Sequence, residues 1–410
     1  MKYLKLYLDD KSYMADKPNL GKLWVASTKS EKHVYYSSEI NNSLCFTAME
    51  DNASVKMTVY DFEGAHYGKT PAGWQDKSFY YKKNDDVEWT TWEFNSNYSS
   101  EITLNKGEKL YVRSDSSNAC AVYDEPVDDC KYYYFTISGG KISASGNIMS
   151  LLNFTPILPN YAFYKLFEDC TSLVSAPELP ATTLADGCYE FMFRGCSSLT
   201  QAPALPATTL ANKCYEYMFR GCTSLTQASS ILPATTLADF CYDYMFYGCS
   251  SLTRAPELPA TTLATLCYSS MFSGCSSLTQ APALPATTLA DYCYQQMFSG
   301  CSSLTQAPAL PATTLTTACY SVMFQGCSSL VQAPELPATT LVKSCYTSMF
   351  KGCSKLNYIK ALFTTTPYSR YTSNWVDGVS PTGTFVKSKD ATWDVTGSNG
   401  IPNGWTVTTA

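Results

Sequence analysis

The chain has 410 residues, 45% of them hydrophobic and 14% aromatic, enough apolar material for two or three packed units and too much for a disordered chain. Only 16% are charged, and 29 Lys and Arg against 35 Asp and Glu leave a net charge of −6, which argues against sequence-independent grip on a phosphate backbone. Two histidines, His33 and His66, give imidazole chemistry little to work with, whereas 18 cysteines, 31 tyrosines and 21 prolines ask for another explanation.

The first ten residues alternate, with Leu4, Leu6 and Leu8 on one side, and lack the apolar core and small-residue cleavage site of a secretory signal. As written, the sequence predicts a protein made in a cytoplasm without a leader or a membrane span. Residues 1–40 read as strands in search of a partner sheet, with Tyr3, Leu4, Leu6, Leu8 and Trp24 as the expected docking residues.

Residues 41–150 hold β-type runs at Val55–Tyr60, Phe79–Lys82, Glu88–Phe94, Glu101–Leu104, Lys109–Arg113 and Tyr132–Ile137. Turn chemistry such as Asn105-Lys106-Gly107 separates them, and the pattern predicts an antiparallel β-sandwich. Charge thins from 17 basic and 21 acidic residues over 1–150 to nine and eleven over 151–366, which puts a boundary near Gly146–Asn153.

From there the chain repeats itself. Leu205-Pro206-Ala207-Thr208-Thr209-Leu210 recurs from 179, 232, 258, 284, 310 and 336, each time followed by Cys-Tyr-x-x-Met-Phe-x-Gly-Cys and a leucine three residues on. The period is 26 residues, with one step of 27 at Ser229-Ser230-Ile231. Such a period is the mark of a solenoid, whose coils bury their apolar faces only against neighbours. Leu199-x-x-Ala202-x-Ala204 predicts a short strand, and Cys214, Tyr215, Met218 and Phe219 predict one side of a short helix stopped by Gly221. The pattern decays at Ala162 upstream and at Pro367 downstream, giving an array over about 154–366. Trp375, Phe385, Trp393 and Trp405 then predict a small β cap over 367–410.

Met-Phe-x-Gly-Cys-Ser-Ser-Leu-Thr resembles the core of the BspA-like leucine-rich repeat family, Ala-Phe-x-x-Cys-x-x-Leu, over about half the chain. The unit here is longer, and Pro203 and Pro206 disfavour a regular ladder. The resemblance implies a solenoid used for adhesion and recognition on bacterial surfaces, in some eukaryotic parasites and on tailed phages of gut bacteria. It implies no catalysis and no cofactor.

The paired cysteines of a unit lie eight residues apart, unlike zinc knuckles, and the expectation is reduced, buried ladders with no metal, with coil-to-coil disulfides at the stacking distance as the alternative. Cys45, Cys120 and Cys130 are too scattered to assign. Tyr215, Met218, Phe219 and their equivalents read as core because every coil must fill the same space. Positions that vary between copies read as exposed. Among these, Tyr217, Phe240, Tyr244, Tyr247 and Tyr292 form one candidate contact site for a glycan or protein. The row Ser175, Gln201, Gln227, Arg254, Gln280, Gln306 and Gln332 forms a second, which a structural amide ladder would explain equally well. Asp85-Asp86 and Asp128-Asp129 sit in turn-like sequence and do not converge as a glycosidase pair must. No phosphate loop or nucleophile elbow stands out.

Together these features predict a non-enzymatic binding protein. The expected setting is a phage virion, as a fibre, head-decoration or tail protein that docks on other virion proteins or on its own copies and meets a host protein or glycan. A bacterial cell-surface adhesin is the alternative.

Overall fold

The computed structural model describes residues 42–61, 76–84, 86–94, 99–124 and 129–410, together with the backbone of two strands, β1 (Leu23–Ser27) and β2 (Lys32–Tyr36). β1 and β2 pair antiparallel, Trp24 opposite Tyr35, as a two-stranded sheet with no third member among the described residues. Of the expected docking residues, Tyr3, Leu4, Leu6 and Leu8 lie outside the described residues, and Trp24 is placed by its backbone alone.

The next region builds two sheets. β3 (Leu44–Ala48), β5 (Phe79–Lys83), β6 (Thr90–Thr91), β8 (Lys109–Ser114) and β11 (Ile142–Ser145) lie in one. β4 (Ala53–Asp61), β7 (Glu101–Leu104), β9 (Ala121–Asp124) and β10 (Asp129–Ser138) make the other, in the order β7-β4-β10-β9. Period-two alternation decides which side chains go inward: Leu110 and Val112 of β8 are buried while Lys109 is exposed, and Met57 and Val55 of β4 stand opposite Phe135 and Ile137 of β10. The sheets meet where Phe46 of β3 touches Phe135 of β10 edge to face, with ring centres 5.0 Å apart.

That core does not end at the repeats. β12 (Leu173–Ser175), from the first coil, pairs parallel with β11 and becomes the outer strand of the first sheet. The Phe135 and Cys120 amides donate to the Leu166 and Ala162 carbonyls, so β10 and the residue before β9 serve as the preceding rung for residues 161–170. One continuous cluster of buried side chains runs from Leu44 to Trp405.

Within the repeats the leucine-rich pattern holds, but the expected helix is absent, and no helix forms between β12 and residue 357. The segment Lys213–Cys222 is instead a ribbon of overlapping turns. Amides of Cys214, Glu216, Met218, Arg220 and Cys222 donate three residues back, while those of Lys213, Tyr215, Tyr217, Phe219 and Gly221 donate to Asp239, Cys241, Asp243, Met245 and Tyr247 of the next coil. Every second N–H is therefore taken by a neighbour, which an α-helix, keeping its amide bonds within itself, would not allow. Lys213, Tyr217 and Gly221 carry positive φ of 56°, 57° and 76°, a left-handed residue at every fourth position as alternating type I and type II turns require. The period is thus four, not 3.6. Cys214 and Tyr215, Met218 and Phe219, then Cys222 point inward without drift and are buried.

The predicted strand is reduced to single bridges such as Gln201 to Gln227 and Gln280 to Gln306, in keeping with the missing N–H groups of Pro203 and Pro206. Core rings stack from coil to coil: Tyr189 on Tyr215 at 5.6 Å and Phe193 on Phe219 at 5.6 Å, nearly coplanar in direction. The pattern of backbone bonds goes on beyond Thr366, where the amides of Tyr346, Phe350 and Gly352 donate to Tyr371, Trp375 and Asp377. A short helix, α1 (Ser369–Thr372), leads in, and Trp375 sits against Phe350 at the end of the phenylalanine column. Three parallel strands close this end: β13 (Tyr358–Ala361), β14 (Thr384–Lys387) and β15 (Thr406–Thr409). Among the described residues no helix is long and apolar enough to cross a membrane.

Candidate functional site

Because the inward positions are taken up by packing, chemistry on the coils is confined to the columns that face outward. The row Gln201, Gln227, Arg254, Gln280, Gln306 and Gln332 is exposed along its whole length, and bridges tie Gln201 to Gln227 and Gln227 to Arg254. No hydrogen bond joins these side chains to one another, so the amides are turned to solvent rather than into a ladder. Each carries donors and an acceptor free for a ligand, with one guanidinium in the middle of the column. Ser175, at the head of the row, is different: it bonds Ser143 and the Ala144 carbonyl and helps fasten the first coil to β11.

Of the aromatic candidates, Tyr217, Tyr244 and Tyr247 come together. Tyr217 stacks on Tyr244 at 4.8 Å, Tyr244 meets Tyr247 at 5.4 Å, and the Arg220 guanidinium lies 5.5 Å from Tyr217 and 5.1 Å from Tyr247. Phe240 is apart, at the previous left-handed position of its coil, 6.0 Å from the Lys213 ammonium, and Tyr292 stands two coils further on.

The column reaches further toward the amino terminus than these five residues. Phe191 stacks on Tyr217 at 4.7 Å, Tyr164 meets Phe191 edge on, and Lys165 lies 5.2–5.4 Å from the rings of Tyr132, Tyr164 and Phe191. The signal was in the repeat: Glu190-Phe191 occupies the unit position of Glu216-Tyr217 and Asp243-Tyr244, and Arg194, Arg220 and Tyr247 share the x of Met-Phe-x-Gly. The geometry also narrows what the column can do. Phe191, Tyr217 and Tyr244 cover one another's faces, leaving edges and hydroxyls outward, whereas a sugar stacking on a ring needs a face.

Beside the rings runs an acidic column of Glu190, Glu216 and Asp243, each at most 8% exposed. Burial pushes the Asp243 carboxyl up to about 7, against smaller lowering by its bonds to Ser269 and the Tyr244 amide. Catalytic thiols are not on offer in the coils. Their cysteines are free and buried, and loss of water raises every one well above the ordinary thiol range. Cys45 and Cys120 are likewise free and buried, and Cys130 is half-buried. Among the described residues no group of three or more His, Cys, Asp or Glu is placed to hold a metal. A shallow groove between Pro177 and Pro180 of one coil and Pro203 and Pro206 of the next has mostly apolar walls.

The model of the BspA type leucine rich repeat region matches six copies over residues 157–279 and 283–372, just over half of the chain. The chain belongs to the BspA-type leucine-rich repeat family. No curated protein and no solved structure matches it. Proteins of this family are generally surface-associated, and membership points to a surface-binding repeat protein.

Proposed function

We propose that this BspA-type protein is a non-enzymatic binding and structural protein. Its leucine-rich-repeat solenoid, held between an N-terminal β-sandwich and a C-terminal β cap, presents a contact surface for a host surface protein or glycan. The observation that carries this reading is the exposed column from Gln201 to Gln332, where unpaired amides and Arg254 repeat at the coil spacing on an otherwise fixed scaffold. An extended partner with hydroxyls or amides along its length would meet one donor and one acceptor per coil. The partly covered aromatics favour an edge contribution from Tyr217, Tyr244 and Tyr247 with Arg220, at the rim of such a contact.

The proposed setting is a bacteriophage particle, with residues 1–40 docking on other virion proteins or on copies of the chain. What supports it is the pairing of β1 with β2 within residues 1–40, a two-stranded element of the kind that adds to another sheet. Family membership equally favours a bacterial surface adhesin, which is the second reading.

The test is binding of the full chain to intact host cells and to arrayed cell-surface glycans. Alanine at Gln201, Arg254, Gln280, Gln306 and Gln332 together should abolish binding while leaving the melting temperature within a few degrees of the parent. Unchanged binding would move the contact away from this column. Immunogold labelling of lysates separates the settings: label on particles supports the virion, and label confined to cell envelopes supports the adhesin.

A further inference from the structure

β15 is an open edge. It has β14 as its one neighbour among the described residues, and all four of its residues are exposed. Thr406 donates to the Gly383 carbonyl and Ala410 to that of Lys387, so by alternation Val407 and Thr409 turn their N–H and C=O groups away from β14. Val407 is 44% exposed. Natural edges are blunted by charge, proline or brevity. Other edges in the molecule follow this, with Glu101 on β7 and only two residues in β6. β15 reads Thr-Val-Thr-Thr, uncharged, free of proline and mostly β-branched.

The chain holds a second unfinished element. β1 and β2 make a sheet of two strands only, and an isolated hairpin is marginal in water. β1, Leu-Trp-Val-Ala-Ser, is uncharged like β15. In chain order β1 and β2 precede the β-sheet region, which packs on the first coil, whereas β15 closes the last. With coils about 4.8 Å apart and eight or more between them, the ends are separated by roughly 40 Å.

We propose that the β1–β2 hairpin of one copy adds to the β15 edge of the next, joining copies head to tail. Main-chain bonds from Val407 and Thr409 supply the contact, as in strand addition elsewhere. A heterologous joint of this kind does not close on itself and extends a filament unless its rotation forms a ring. The proposal rests on the docking role given above to residues 1–40 and names its partner. Its failure leaves the recognition column untouched, because binding to cells by the Gln201–Gln332 surface is read separately.

The experiment is sedimentation velocity of the full chain over a concentration series, with Val407→Pro and Val407→Thr. Proline at 407 removes an N–H that faces outward and leaves the bonds of Thr406 and Thr408 to β14 in place. The parent and Val407→Thr should grow in mass with concentration, Val407→Pro should stay monomeric, and its melting temperature should match the parent. Where proline costs the fold, Val407→Lys, which keeps the N–H and adds a charge at the edge, should abolish association in the same way. In an equal mixture of isotopically light and heavy parent, amine cross-links should join Lys32 of one copy to Lys389 of another. A parent that is monomeric throughout, association that survives both Val407→Pro and Val407→Lys, or intermolecular cross-links that avoid Lys32 would each overturn the proposal.

Discussion

The thiol of Cys222 donates to the carbonyl of Phe193 in the preceding coil, 3.1 Å away, and the same bond is made by Cys196, Cys249, Cys275, Cys301, Cys327 and Cys353. Even Cys170 makes it, to Phe135 of β10, which stands where the previous coil's phenylalanine would. Cysteine suits the position because it fills a small apolar space and adds a weak second donor to a carbonyl that already accepts an amide of its own coil, as Phe193 accepts from Cys196. With the thiols buried and held protonated, native protein treated with a thiol reagent at pH 8 should label Cys130 first and the coil cysteines only on unfolding. Counting labelled sites by mass spectrometry before and after denaturant checks this, and rapid labelling of Cys222 in the native state would contradict it. Cys222→Ala should cost about 1–2 kcal/mol, chiefly from the lost volume, because the Phe193 carbonyl keeps the Cys196 amide.

Gly274 and Gly107 separate two kinds of glycine. Both have positive φ, 78° and 84°, but a Cβ on Gly274 would sit 3.4 Å from the Gly248 Cα, whereas one on Gly107 would meet nothing within 4 Å. Gly107→Ala should therefore cost about 1 kcal/mol, the strain of the left-handed backbone alone. Gly274→Ala adds a Cβ that touches the Gly248 backbone at 3.4–3.5 Å with no room to spare and should cost somewhat more, about 1–2 kcal/mol. Denaturant melts of both variants give the comparison, and equal losses would show that the glycine column is not set by coil spacing.

The contrast also shows what could be read in advance. Gly221 marks the end of an element, and the sequence predicts a helix there because apolar residues at i, i+1, i+4 and i+5 suit a helix about as well as a period of four. What separates the two is the destination of alternate N–H groups, which one coil does not contain: the amides of Tyr215, Tyr217 and Phe219 are satisfied by residues 26 further on. The core identities of Tyr215, Met218, Phe219 and Cys222 follow from repetition, since every coil must fill the same interior space, whereas the exposure of Gln201 and its row does not, because glutamine recurs in five copies and repetition leaves a side-chain ladder open. Stacking of Phe191, Tyr217 and Tyr244 needed the third dimension, because neighbours along a column are far apart in the chain. So did the junction with β10, where the rung that Phe135 supplies has no repeat motif to mark it.

At that junction Lys165 lies between the rings of Tyr132, Tyr164 and Phe191 and 3.8 Å from Glu168, which also binds Arg194 at 3.1 Å. Its side chain is 21% exposed, so its attractions are stronger than those of a free surface cation yet still partly screened. Lys165→Ala should lower stability by about 1–2 kcal/mol, and Lys165→Met, which keeps the packed stem, by less. Hydrogen exchange localises the effect: amides of β10 should lose protection before those of coils beyond Cys222. A uniform loss across all coils would mean that Lys165 does not fasten the β-sheet region to the stack.

Asp243 gives the stack a pH dependence whose sign follows from its surroundings. Its carboxyl is 4% exposed, one oxygen has no hydrogen-bond partner, and its proton is held up to about 7 against 3.8 in an unfolded chain. The folded protein therefore keeps a proton that the unfolded chain has already released, so stability falls as pH rises from about 4 to about 7 and levels off above. The loss is at most about 4 kcal/mol, each tenfold change in proton affinity being worth about 1.4 kcal/mol. Asp243→Asn keeps the shape and the contact with Ser269 but cannot ionise, so its stability curve should lack this fall and lie above the parent's at pH 8. Glu216, in the same column one coil earlier, is left in place, so any slope shared by both proteins belongs to other groups. Parallel curves for parent and variant across pH 4–8 would show that water or a rearranged side chain solvates the Asp243 carboxylate in the fold.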